Sequence, residues 1–185
     1  MAAMSTVIAI SGSLRKASFN SGLLRAAQDQ FPERIEIAGI ADFPLYNADV
    51  EAAKGVPAAV EALKDRIAAA DGLLLATPEY NNGIPGVMKN AVDWLSRPPA
   101  DIPKVFHGKP VAVIGATPGG FGTILAQSAW LPVLRTLRTQ PWLEGRLMVS
   151  RAGEVFGKDG SLQDEKTTQA LHDFVEDFLA FIEDA

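Results

Sequence analysis

The sequence predicts an α/β fold: a doubly wound parallel sheet of five strands, with helices on both faces in three α/β/α layers. Three observations predict it. Short apolar runs alternate with stretches of helical periodicity along the 185 residues. One run, "DGLLLATP" at 71–78, is apolar on both faces, as a strand in the middle of a parallel sheet must be. Polar loops rich in Gly, Ser and Asn follow the first, third and fourth runs, at the end of the sheet where open parallel folds bind ligands.

Each element has its own justification. "TVIAIS" (6–11) is a buried strand, after a "MAAM" start expected to be disordered. Residues 20–31 carry Leu23, Leu24, Ala27 and Phe31 at helical spacing. "RIEIA" (34–38) alternates and is a second strand, and 42–49 is a loop. Residues 56–70 form a helix with Pro57 near its first turn, where a missing N–H costs nothing. After the third strand comes a helix at 85–95. The Pro-rich stretch 96–110 is a loop, and "KPVAVIGAT" (109–117) is the fourth strand. Residues 122–138 are helical, with a kink or break expected at Pro132. "EGRLMVS" (144–150) is the fifth strand. Residues 162–183 form a long amphipathic helix with Leu171, Phe174, Val175, Phe178, Leu179 and Ile182 on one stripe. Five strands in this alternation suggest the order 2-1-3-4-5, the flavodoxin-like arrangement. No repeat or interdomain linker interrupts the pattern, so residues 1–185 are read as one domain.

Composition excludes several classes of function. Hydrophobic residues make up 48% and charged residues 21%, the balance of a soluble globular chain. A net charge of −5 argues against nucleic acid as a partner, because phosphate backbones require a concentrated positive surface. No run approaches membrane-spanning length, and the start lacks the cationic and apolar segments of a signal peptide, so no membrane partner and a cytoplasmic location are expected. There are no cysteines, which removes disulfides, thiolate catalysis and Cys-ligated metals. His107 and His172 lie far apart with no ligand spacing, so no metal site is expected.

The three polar loops should meet on one rim, at the switch point between strands 1 and 3. The first, "SGSLRKASFN", offers donors on Ser11, Ser13, Ser18 and Asn20, together with the unpaired N–H groups of a helix start. A helix N-terminus favours an anion, and Arg15 can hold a phosphate through two hydrogen bonds. The loop therefore suits a phosphate monoester. It matches neither G-x-x-x-x-G-K-[ST] nor G-x-G-x-x-G. Ser18 or Asn20 is also suited to cap the helix. The second loop, "PEYNNGIPG", is stiffened by Pro78 and Pro85, and its amides could meet the polar edge of a flat heterocycle, with Tyr80 packed near a ring. In the third, "ATPGGFGT", Gly119, Gly120 and Gly122 serve either close approach to a ligand or a tight left-handed turn.

"GSLRKASFN" and "PEYNNGIPGVMKNAVDWLSRP" resemble the phosphate loop and the signature segment of the NADPH-dependent FMN reductase family, flavodoxin-like enzymes that include quinone, chromate and azo-dye reductases. The strand pattern extends the resemblance over nearly the whole chain. It implies FMN as cofactor, with Ser13, Arg15, Ser18 and Asn20 around its phosphate. It places Pro78, Glu79, Tyr80 and Asn81 along the ribityl chain and ring edge, and Thr117, Pro118, Gly119 and Gly120 on the other side. Lys89, Asn90, Asp93 and Trp94 are read as helix and interface residues. The resemblance also implies a homodimer, with tetramers among some members. The chain departs from the quinone and chromate reductases of the family at Asn82, Gly83, Leu125 and Ser128, departures that bear on acceptor preference and assembly.

The activity so implied is an FMN-dependent NAD(P)H oxidoreductase with a ping-pong course, NADPH or NADH as hydride donor, and a quinone, azo compound, metal oxyanion or free flavin as small-molecule acceptor. Catalytic side chains are not required, since the cofactor carries the chemistry. Glu79 is assigned to backbone or interface bonding. The competing reading is a flavodoxin-like FMN electron carrier. The charge of −5 is only mildly acidic for that role, and Arg15 with the PEYN segment favours the reductase.

Overall fold

The computed structural model describes residues 4–184, so the first three residues of the "MAAM" start lie outside the described residues. The chain runs β1 (Val7–Ser11), α1 (Phe19–Gln30), β2 (Ile35–Ala38), α2 (Ala48–Lys54), α3 (Ala58–Ala69), β3 (Gly72–Ala76) and α4 (Gly86–Leu95). It continues through α5 (Ile102–Phe106), β4 (Pro110–Ala116), α6 (Ile124–Thr136), β5 (Gln140–Pro141), β6 (Met148–Val149), α7 (Ala152–Val155) and α8 (Glu165–Glu183). The sheet is parallel throughout, in the order 2-1-3-4-5, as its alternation with helices predicts. Ser11 is level with Ala76, and Ala76 with Ile114, so the loops after β1, β3 and β4 leave the sheet along one rim.

Strand alternation builds two apolar layers. Val7, Ala9, Leu74, Ala76, Ala112 and Ile114 face α1 and α8, whose Leu23, Leu24, Phe174 and Phe178 complete that core. Ile8, Ile10, Leu73, Leu75 and Val111 face the other way, against Val60, Ile67, Met88, Trp94 and Trp130. The stripe on the last helix is buried as its periodicity implied, through Leu171, Phe174, Val175, Phe178 and Leu179. Among the described residues no helix is long and apolar enough to cross a membrane.

Four local expectations need correction. The fifth position of the sheet is shared by two short segments. β5 pairs with the start of β4 and β6 with its end, and 143–146 swings away between them. The cause is Trp142, buried against Phe174 and Phe178 at ring separations of 4.8 and 5.6 Å. Its indole occupies the space where a side chain at Gly145 would sit, 2.3 Å from a Cβ there. The loop at 42–49 passes directly into an unforeseen helix, α2, started by Asn47, whose side chain accepts the Asp49 N–H at 2.8 Å. The stretch 96–110 contains a 3-10 turn at Pro99–Asp101 and then α5, drawn in by the buried Lys64 ammonium, which donates to Arg97 O at 2.8 Å and Asp101 at 2.5 Å. Helix α6 runs on through Pro132, so of the kink or break expected there the break does not occur. Nearby hydroxyls take up helix carbonyls there, Ser128 donating to Ile124 O and Thr136 to Pro132 O.

Candidate functional site

Three loops enclose a cleft of about 350 Å³ at the carboxyl ends of β1, β3 and β4. Ser13, Arg15, Ser18, Phe19 and Asn20 line it from the first loop, Pro78, Glu79 and Tyr80 from the second, and Ala116, Thr117 and Pro118 from the third. Nine of the residues picked out in the sequence are therefore together in one place. Ser11, Asn81, Gly119 and Gly120 are not among the lining residues. Phe19 and Ala116 line the cleft without having been foreseen.

In the first loop, side chains satisfy the turn and leave the helix start open. Ser18 is the N-cap of α1, its Oγ accepting the Ser21 N–H at 3.2 Å. Ser11 Oγ accepts from the Ser21 hydroxyl at 2.9 Å and the Ser13 N–H at 3.3 Å, so Ser11 shapes the loop from behind. Among the described residues nothing accepts the N–H groups of Phe19 or Asn20. Asn20 itself is a buried clamp. Its Nδ2 donates to Ala116 O at 2.9 Å and its Oδ1 accepts the Ala116 N–H at 3.0 Å, tying α1 to the end of β4. The Arg15 guanidinium lies over the Phe19 ring at 5.0 Å and makes no ion pair among the described residues. Gly12 lets this loop meet the second, since a Cβ there would lie 2.8 Å from Pro85 and 2.9 Å from Pro78.

The second loop is rigid for identifiable reasons. The buried Thr77 hydroxyl donates to Pro78 O at 3.0 Å and accepts the Trp130 Nε1–H at 3.1 Å. Asn81 and Asn82, at φ of 50° and 61°, form a two-residue hairpin turn closed by paired backbone bonds between Tyr80 and Gly83. Asparagine tolerates that left-handed backbone better than any other non-glycine residue. The Tyr80 hydroxyl reaches Ser13 Oγ at 3.5 Å, across the cleft from the first loop. Glu79 Oε2 accepts the N–H groups of Leu125 and Ala126 at 2.9 and 3.0 Å, so the one carboxylate in the lining is turned onto the start of α6. This is the backbone-bonding role assigned to Glu79 from the sequence.

The third loop is tied down by the chain after β6. Thr117 N–H donates to Val149 O, Ala152 N–H to Thr117 O, and Arg151 N–H to Gly119 O, all within 3.0 Å. Gly122 is the left-handed turn glycine at φ 63°, whereas a Cβ on Gly120 would meet nothing within 4 Å. Gly115 allows the loop to close, because a Cβ there would overlap Thr123 and Thr77 O. Around the mouth, Leu14, Tyr80, Phe121, Ile124 and Leu125 are exposed, with Phe121 at 85%.

The arrangement is thus a polar seat at a helix start, a stiff wall and an apolar rim. The model of the family described as NADPH-dependent FMN reductase matches residues 5–154, most of the chain and all three loops. The chain belongs to that family. An NAD(P)H-dependent FMN reductase of Pseudomonas aeruginosa is 46% identical over 167 residues, covering 89% of this chain and 88% of that protein. An NADPH:quinone oxidoreductase of Arabidopsis thaliana is 40% identical over 182 residues, covering 95% and 90%. Among solved structures, the flavoenzyme NAD(P)H:acceptor oxidoreductase FerB of Paracoccus denitrificans superposes with a TM-score of 0.84 at 39% identity, covering 97% of this chain and 98% of that one. As an NADPH-dependent FMN reductase family member, the chain is an oxidoreductase whose cofactors are FMN and NAD(P)H.

The cleft fits that cofactor on its own chemistry. A phosphate monoester needs donors and no opposing anion. The cleft supplies two free N–H groups, the Ser13 hydroxyl and Arg15, while its carboxylate is held by α6.

Proposed function

We propose that the cleft binds FMN with its phosphate at the start of α1, and that the enzyme transfers electrons from NAD(P)H to a quinone or similar small acceptor. The observation that carries this reading is a pair of amides, Phe19 and Asn20, and an Arg15 guanidinium that have no hydrogen-bond partner among the described residues, in a chain of this family. Those amides and Arg15 would hold the phosphate, with Ser13 and the rim of Ser18 beside it. Pro78, Tyr80 and the Asn81–Asn82 turn would form one wall for the ribityl chain and ring, and Thr117, Pro118, Gly119 and Gly120 the other. FMN held there would supply the two-electron redox chemistry between NAD(P)H and the acceptor.

The residues of the chain orient and enclose. Glu79 Oε2 accepts two helix amides, so the side chain fixes α6 against the second loop. The apolar rim offers a flat ring a dry face. The names of the relatives support the reductase over an electron carrier. We also infer a single domain, a cytoplasmic location and a homodimer. Exposed Phe121, Leu125 and Leu131, in the third loop and on α6, support the dimer, which sedimentation at several concentrations tests.

The deciding experiment is an anaerobic visible spectrum of the protein with FMN. Bound flavin should bleach with NADPH or NADH and recover on addition of a quinone. Bound flavin that neither donor reduces would establish the electron carrier, and absence of bound flavin would refute the seat.

A further inference from the structure

Residues 156–162, beyond the family-matched segment, fold into a small hairpin behind the first loop. Phe156 bridges to Leu162, Gly160 N–H donates to Gly157 O at 2.9 Å, and Gly157 N–H donates to Ser161 O at 2.8 Å. The tip of this hairpin bears on α1 and its loop at two points. Gly160, buried at φ 81°, lies where a Cβ would be 2.8 Å from the backbone carbon of Ala17. Its carbonyl sits in the space left by the missing side chain of Gly22, 2.0 Å from a Cβ built there, and accepts from Arg25 Nη2 at 3.1 Å. At the base, the Phe156 ring packs on Phe19 at 5.1 Å, and Phe19 in turn lies beneath the Arg15 guanidinium at 5.0 Å.

Backbone and ring contacts therefore reach both parts of the proposed seat, the N-terminal amides and Arg15. Few other contacts could hold 14–17 in place, since Leu14, Arg15 and Lys16 are exposed. We propose that the 156–162 hairpin positions the phosphate loop, with Gly160 and Arg25 as positioning residues that set the preference for a phosphorylated flavin over an unphosphorylated one. This rests on the reading of residues 13–20 as the phosphate seat. The hairpin touches the loop from behind and contributes no atom to the cleft lining, so it acts on the seat alone and not on the walls for the ring.

The test is fluorescence titration with FMN and, separately, with riboflavin, which has the same ring and no phosphate. Wild type should bind FMN much more tightly than riboflavin. Gly160→Ala, with a side chain at positive φ against Ala17, should weaken FMN about tenfold and leave riboflavin within about twofold. Arg25→Met, an exposed position that cannot compromise the core, should weaken FMN about threefold, and Arg25→Lys should restore most of the loss. If Gly160→Ala fails to fold, the Arg25 pair decides. Variants that keep the wild-type ratio of the two affinities, or lose both equally, overturn the positioning role while the seat stands. Wild type binding both flavins equally overturns the seat itself, and the inference with it.

Discussion

Asn20→Ala separates a residue that builds the site from one that serves it. The amide of Asn20 makes both of its bonds to the main chain of Ala116, at 2.9 and 3.0 Å, in a region where Asn20 is 3% and Ala116 2% exposed. Truncation leaves a buried N–H and a buried C=O at the end of β4 without partners. Each orphaned group costs about 1–3 kcal/mol, and partial relaxation brings the pair to roughly 2–4 kcal/mol. For a chain of this size that lowers the melting temperature by about 6–12 °C. The measurement is thermal and urea unfolding of the flavin-free protein, where a ligand cannot contribute. Asn20→Asp is the companion variant: its carboxylate still accepts the Ala116 N–H but faces the Ala116 carbonyl with no donor, so most of the loss should remain. A flavin-free Asn20→Ala protein that melts within about 1 °C of wild type would refute the clamp and return Asn20 to direct ligand binding.

Three further outcomes follow from the same geometry. Arg15→Ala should weaken FMN by about ten- to a hundredfold, the size of a lost charge-assisted bond, and leave flavin-free stability unchanged, since Arg15 is exposed and pairs with no carboxylate among the described residues; equilibrium dialysis with FMN checks it. Glu79→Ala removes the acceptor for two first-turn amides of α6 and should cost about 1–2 kcal/mol in urea unfolding, with Glu79→Gln recovering part of it. Asp159 is held below its usual 3.8 by the Ser161 hydroxyl and then the Ser161 N–H. Because the folded value is depressed, its contribution is complete above the unfolded value and disappears as pH falls through the folded one. Exchange of the Ser161 amide, corrected for its intrinsic pH dependence, should accelerate in that acid window in wild type and stay flat in Asp159→Asn.

The order of the sheet and the rim where the three loops meet were legible because parallel strands buried on both faces leave continuous apolar runs, and donor-rich loops followed three of them. Polar identity announced Ser13, Arg15 and Ser18. It could not tell a side chain turned to the cleft from one turned to the main chain, and Asn20, Ser18 and Ser11 all bond the main chain. Phe19 and Ala116 were silent because an aromatic at a helix start and an alanine at a strand end have many uses. Gly12 and Gly115 matter for what they leave out, which becomes visible only when neighbouring loops are in place. The interrupted fifth strand was misread because "EGRLMVS" has the composition of a strand. The indole that forces the detour lies outside it, at Trp142, and its partners are some thirty residues further on in α8.

That interruption also makes the edge of the sheet extensible. β5 and β6 hold the two ends of β4 independently, and Leu143 between them is 65% exposed. Chain added after Leu143 leaves both pairings in register, and doubling a loop costs only about 0.6 kcal/mol in closure entropy. A reporter domain inserted there would be carried at the edge of the sheet, a graft point that an unbroken fifth strand would not provide.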